Sequence, residues 1–413
     1  MRRIAYFLSL VLVFSIPWED ALSIGSLGTL ARAVGLLVAG AWLAAALVTG
    51  KIRKLHPFHL MAFLFILWNV SSIFWSAGIN ETMTHLKTYA QLGILAWIFW
   101  DLYTTPSSVR SALQAYILGA YVAIGSTIYN FLIGQEISAY SGGRYSGANV
   151  NAVDLALILI LGLPLAWHLI ISAENGARGN IQKLVNIAYI PFAIFAILLT
   201  ASRTAVFSIV PVVFYIAITS PRLTPVFRLL ISIALIGILF LVGAYLPEAP
   251  IDRLATTWNS IAAGDLGGRI PLWKATIAEF SGHPILGIGA GVLHNPAILN
   301  TVAHNTYLSI LAELGLIGFF LFLILLVILV YEAYLQALSG NSLWITVLAA
   351  WAIGVFALSW EFKKPTWIFF SMVVASANLY NPKYMVSIVS KAYSMRNVEQ
   401  GKIDGIAHET PST

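Results

Sequence analysis

Apolar runs of membrane-crossing length follow one another along nearly the whole chain, parted by short polar breaks. About twenty residues suffice to cross a hydrocarbon core of about 30 Å. On that measure the pattern predicts about twelve spans, near 4–18, 26–49, 58–76, 88–103, 111–133, 152–172, 184–201, 204–219, 229–246, 304–331, 343–360 and 366–387. The stretch 184–219 is almost continuously apolar. As one helix it would reach about 54 Å at 1.5 Å per residue, too long for a single crossing. Its one polar break is Ser202-Arg203-Thr204, so the chain is expected to turn there. The runs are continuous rather than alternating, which excludes a β-barrel. The predicted fold class is an all-α polytopic membrane protein.

One interruption is far longer than the others, residues 247–303. It carries Arg253, Arg269, Lys274, His283, His294 and a glycine-rich turn from Gly287 to Gly291, and His304 follows it directly. Within it, Ile270, Trp273, Ile277 and Phe280 recur at spacings of three and four, which predicts an amphipathic helix lying on the membrane surface. Pro271 suits its first turn. The domain reading is one transmembrane unit over 1–392 that includes this loop. The polar tail 393–413 has no apolar face and is expected to be disordered.

Composition narrows the picture. Apolar residues make up 59% of the 413 and charged residues only 10%, against about a quarter charged in soluble domains. There is no cysteine, which rules out disulfides, iron–sulfur clusters and thiolate chemistry. The net charge of +6 calls for no nucleic-acid partner, because cytoplasmic loops of membrane proteins are ordinarily basic. With the N-terminus inside, fourteen of the 23 Lys and Arg fall on the cytoplasmic side. That predicts cytoplasmic termini and puts 247–303 outside, in the periplasm or its equivalent. Met1-Arg2-Arg3 and the apolar run after it resemble a signal peptide. Pro17-Trp18-Glu19-Asp20 is a poor cleavage site, so an uncleaved first span is expected.

The outer cations are what orientation does not explain. Arg203 either snorkels to fix the depth of a helical hairpin or binds an anion, since a guanidinium fork matches phosphate oxygens in pairs. Arg269 opens the surface helix, where positive charge and a helix N-terminus both suit a lipid phosphate. The alternative there is a solvated surface arginine. His304 begins the tenth span at the outer interface, and imidazole exchanges protons near neutral pH. Alone it reads as structural; beside two arginines at the same depth it reads as part of a site. Arg144 lies in Y-S-G-G-R-Y-S-G-A-N-V-N-A (140–152) among groups suited to sugar hydroxyls. Lys274, Asn305 and Tyr307 join Arg144 as candidate substrate-binding residues. The 287–291 glycines lack the strand and G-K-[ST] of a nucleotide loop and read as a turn. No D-x-D or outer carboxylate cluster is visible, so no metal and no cofactor is expected. The spans carry no ladder of ionisable residues, Asp154 and Glu313 being the clear acids within them. That weighs against a flippase or other transporter.

Three motifs together resemble the O-antigen ligase and Wzy-type polymerase superfamily. They are R-Y-S-G-A-N-V-N-A, T-A-S-R-T-A, and G-R-I-P-L-W…H-P-I-L-G-I-G-A-G…H-N-T-Y-L-S-I-L-A-E-L-G-L-I-G-F over 268–319. I-P-W-E-D and W-N-V-S-S-I-F-W-S are weaker matches. The resemblance implies a GT-C-like, metal-independent and inverting glycosyltransferase at the periplasmic face of the bacterial inner membrane. Its implied partners are an undecaprenyl diphosphate-linked glycan as donor and a lipid A-core or lipid-linked glycan as acceptor. By motif, the family's essential arginines fall on Arg203 and Arg269 and its histidine on His304. Ligase and repeat-unit polymerase both remain open, with the large outer loop favouring ligase.

Overall fold

The computed structural model describes residues 1–380, apart from 26–27, 138–142, 174–175, 263 and 265–266. The predicted disordered tail, 393–413, lies outside the described residues. Sixteen α-helices and several short 3-10 turns make up the fold, with no strand among the described residues. In order they are α1 (Arg2–Ser15), α2 (Leu30–Thr49), α3 (Pro57–Ser71), α4 (Ile79–Leu102), α5 (Pro106–Leu132), α6 (Ala152–Ile171), α7 (Ala177–Leu199) and α8 (Arg203–Ser208). There follow α9 (Val210–Thr219), α10 (Pro225–Tyr245), α11 (Glu248–Ala255), α12 (Thr257–Ala262), α13 (Arg269–Gly282), α14 (Thr306–Leu338), α15 (Leu343–Gly354) and α16 (Lys364–Tyr380).

Each of the twelve expected spans coincides with a helix or a helix pair, but not all qualify as crossings. Nine helical segments among the described residues are long and apolar enough to span a bilayer. α15 is too short by that measure, at 12 residues, and α16 has 17. α4 is long enough at 24 residues, but its first half is polar. The break expected at Ser202-Arg203-Thr204 is present: α7 ends at Leu199 and α8 starts at Arg203.

Burial sorts the helices. In α6, 83% of the most apolar window is buried, whereas in α10 the figure is 6%. A helix apolar all round belongs either inside a bundle or in lipid, and these two take the two options. In the first helical stretch, Ala5, Leu12, Val13 and Ile16 are buried in the main core.

The bundle has two polar ends. At one, Asp101 accepts from Arg2 Nη2 at 2.8 Å, Trp42 Nε1 at 2.9 Å and the Arg53 amide at 2.7 Å. His56 pairs there with Glu332, near the end of α14. The other end holds the start of α14, the α7–α8 turn and α11 to α13, and there Arg144, Arg203, Arg253 and Arg269 gather.

Candidate active site

The α7–α8 turn is the foundation of the site. A helix end leaves carbonyls without intrahelical partners, and here arginines supply them. Arg144 Nε donates to the Thr200 carbonyl at 3.0 Å and Arg253 Nε to that of Ala201 at 3.2 Å. Arg203 Nε in turn donates to the Arg253 carbonyl at 3.4 Å. Ala201 takes a left-handed φ of 47°, rare for a residue with a side chain. Three arginines far apart in sequence are thereby tied to one turn.

They line a cavity of about 560 Å³ together with Arg269, Trp273 and His304. Ser202 and Asn151 contribute polar groups to its wall, and Phe207, Ile353 and Phe356 contribute apolar ones. The Ser202 hydroxyl is buried and has no hydrogen-bond partner among the described residues. Arg144 is pushed down to about 10, by burial first and then by Arg253 and Arg269. It stays a cation at neutral pH. Arg269 is lowered too, by burial and by Arg253. His304 falls below its ordinary 6.5 because it is buried and faces Arg269, while Asp154 acts against the shift. A largely neutral imidazole beside a cluster of guanidinium groups can take a proton while the arginines hold an anion.

The position of His304 depends on a broken helix. Gly315 interrupts α14 with φ 65° and ψ −169°, a region open in practice only to glycine. The loop of the glycine-rich motif runs against this break. The Ile288 and Gly289 amides donate to the Ala312 and Glu313 carbonyls at 3.0 and 2.9 Å, and Leu316 donates back to Pro284 at 2.9 Å. A Cβ on Gly287 would sit 2.4 Å from the Glu313 backbone. The Glu313 carboxylate accepts from the Gly291 amide at 2.8 Å and the Leu293 amide at 3.3 Å. The glycines are therefore a packing device, in keeping with the turn read from sequence. Ten residues before the break, Asn305 caps α14 by accepting from the Tyr307 and Leu308 amides. His304 stands just outside the cap with φ 48°.

Residues 188–323 match the family model described as O-antigen ligase. The match supports the O-antigen ligase/Wzy superfamily that the motifs resembled, a family of glycosyltransferase-like ligases and polymerases. It takes in the α7–α8 turn, the 247–303 segment and the first half of α14. No curated protein matches the sequence.

Set against the O-antigen ligase motifs, the structure brings Arg144, Arg203, Arg269 and His304 to one cavity. It does not bring Lys274, which is exposed and outside the lining. Asn305 is a buried helix cap. Tyr307 donates its hydroxyl to the Ala352 carbonyl at 3.2 Å and packs on Phe356, so it supports the wall rather than forming it. Helix α13 forms over the expected stretch, with Thr276 buried, Ile270, Trp273 and Phe280 half-buried and Ile277 48% exposed. Trp273 Nε1 donates to the Ala303 carbonyl at 3.1 Å, and this contact helps orient α13 beside His304.

Sequence reasoning missed two parts of the site. Arg253 was noted as an unexplained cation but not as a site residue. The other is the segment from Val355 to Lys363, a 3-10 turn over Val355–Ala357 and then an irregular, mostly buried passage beside the cavity. Thr306 Oγ1 donates to the Leu358 carbonyl at 2.9 Å and accepts from the Trp360 amide at 2.8 Å, and Trp360 Nε1 donates to Asp154. Its available signal was the charged run W-E-F-K-K-P between two apolar stretches.

Proposed function

We propose that the protein is an O-antigen ligase-type glycosyltransferase. On this reading it moves a glycan from undecaprenyl diphosphate to a lipid A-core or similar acceptor, at the periplasmic face of the bacterial inner membrane. The observation that carries it is the convergence of Arg144, Arg203, Arg253, Arg269 and His304 on one cavity, in a chain whose 188–323 segment matches the O-antigen ligase family.

The acceptor hydroxyl oxygen attacks the anomeric carbon of the donor's first sugar. The bond from that carbon to the diphosphate oxygen breaks, and its electron pair leaves with undecaprenyl diphosphate. The hydroxyl proton passes to the His304 imidazole. Arg203 and Arg269, with Arg144 and Arg253 beside them, stabilise the charge that grows on the diphosphate, the kind of term that commonly dominates catalysis. Attack from the face opposite the leaving group inverts the anomeric configuration. The reading uses no metal, because the arginines take the role a divalent ion would have on the diphosphate. Activity should survive EDTA; loss on chelation with recovery on adding magnesium or manganese would sink that part.

Clustering of the site cations at one end of the bundle favours a one-sided transferase over a flippase. The deciding experiment is a deletion strain examined by gel for surface glycan. A ligase defect leaves polymerised, unligated glycan; a polymerase defect leaves single repeat units on the acceptor; a flippase defect holds the donor on the inner leaflet.

A further inference from the structure

A second cavity, of about 360 Å³, lies between α2 and α4 with α1 behind it. Its long wall is apolar, formed by Leu12, Leu36, Leu92, Ile94, Leu95 and Ile98. Leu36 and Ile94 are about half exposed, so the cavity opens sideways where lipid would lie. It is hollow because Ala31, Gly35 and Ala39, one above another on α2, leave the space unfilled; a Cβ on Gly35 would meet nothing within 4 Å. Its other end is polar, with Glu19, Asp20, Arg32, Gln91 and Lys363.

This polar end leads towards the arginine cavity. A smaller cavity of about 130 Å³ shares Glu19, Asp20 and Lys363 with the first and Asn151 with the arginine site. Asp154 also lines it, and Asp154 is close enough to act on the charge of His304. The three spaces thus share walls in series, from a lateral lipid opening to the proposed base.

We propose that the cavity between α2 and α4 binds the acceptor, a glycolipid whose hydrocarbon chain lies along the apolar wall. Its sugar then meets Glu19, Asp20 and Gln91 and presents a hydroxyl past Asp154 and Asn151 to His304. This rests on the transferase reading of the arginine cavity. Charge separates the two substrates. Four guanidinium groups with no carboxylate in the wall suit a diphosphate, whereas the mouth mixes Arg32, Lys363 and Lys364 with Glu19 and Asp20, Lys364 pairing with Glu19, and such a mixed set donates to and accepts from hydroxyls.

The test uses the full chain in lipid nanodiscs and an alkyl glucoside with a diazirine on its chain, located by peptide mapping after irradiation. Labelling should fall on Leu36, Ile94 and Leu95 and should persist with excess undecaprenyl diphosphate. Gly35→Phe, which fills the hollow, should cut labelling about tenfold, the equivalent of roughly two buried methylenes. It should leave undecaprenyl diphosphate binding unchanged, which also shows that the variant is folded. Ala39→Phe is the second filling variant. Labelling competed away by undecaprenyl diphosphate would assign the groove to the donor and overturn the proposal. Labelling spread over the lipid-facing surface and indifferent to Gly35→Phe would overturn it equally. Transfer activity does not enter these readouts. If the deletion strain kept a normal surface glycan, the transferase reading would fall while the groove labelling stood.

Discussion

Arg144, Arg203 and Arg253 each donate to a particular carbonyl, and guanidinium geometry makes the site arginines unequal to lysines. A lysine at 203 or 269 keeps the charge but loses the planar fork that meets two phosphate oxygens at once. Arg203→Lys and Arg269→Lys are therefore expected to lose most transfer activity and to weaken undecaprenyl diphosphate binding, while inserting at normal levels on a membrane blot. His304→Ala should fall by about 10²–10⁴-fold in rate, as loss of a general base does, yet still bind that donor. Normal turnover by both lysine variants, together with lost donor binding in His304→Ala, would move His304 to the donor site. The acid limb of kcat/KM offers a separate check. Burial and Arg269 lower the His304 pKa from 6.5, and a base must be neutral, so the midpoint of the acid limb should lie below pH 6.5. Asp154 pulls that pKa upward; Asp154→Asn should then shift the acid limb to still lower pH. A limb above 6.5, or one that moves upward in Asp154→Asn, would point to another titrating group.

Among the elements, the broken α14 and the loop packed against it bear most on function, because together they set where α14 begins and thus where His304 stands. At Gly315 both the backbone angles and the space exclude a side chain: a Cβ would lie 2.2 Å from the Ile285 carbonyl oxygen. Gly315→Ala is expected to cost about 3 kcal/mol or more and to lower the thermal midpoint followed by tryptophan fluorescence. Gly340 also has a positive φ, 86°, but open space around it, so Gly340→Ala should cost only about 1 kcal/mol. Equal shifts for the two would mean that the crossing of loop and helix contributes little. The sequence showed the glycines, the Glu313 position and the apolar runs around them. It did not show that α14 breaks, since A-E-L-G-L-I-G-F reads as unbroken apolar helix until the 284–291 loop is laid against it.

For the whole molecule, the proposed orientation rests on the asymmetry of Lys and Arg along the chain. Arg2, Arg53 and Asp101 meet at one end, and the arginine cavity lies at the end where α14 begins. The positive-inside rule predicts a cytoplasmic place for the first end. Reporter fusions after Arg222 should read as cytoplasmic and fusions after Gly264 as periplasmic. Exchanged signals would invert the protein and take the periplasmic site with it.

The sequence by itself determined the helical membrane class, the approximate span positions, the break before Arg203 and the identity of Arg203, Arg269 and His304 as candidates. These follow from hydropathy and from charges out of place in it, which are local properties read a few residues at a time. Tertiary structure alone decided which outer residues share a wall. Arg253 enters because its Nε reaches the Ala201 carbonyl, while Lys274, five residues after Arg269 on the same helix, points away. Asn305 and Tyr307 turn out to hold α14 and its neighbours in place. The 355–363 passage and the hollow beside α2 were equally hidden. A buried irregular segment and an unfilled space depend on partners distant in the sequence, and no periodicity along the chain records them.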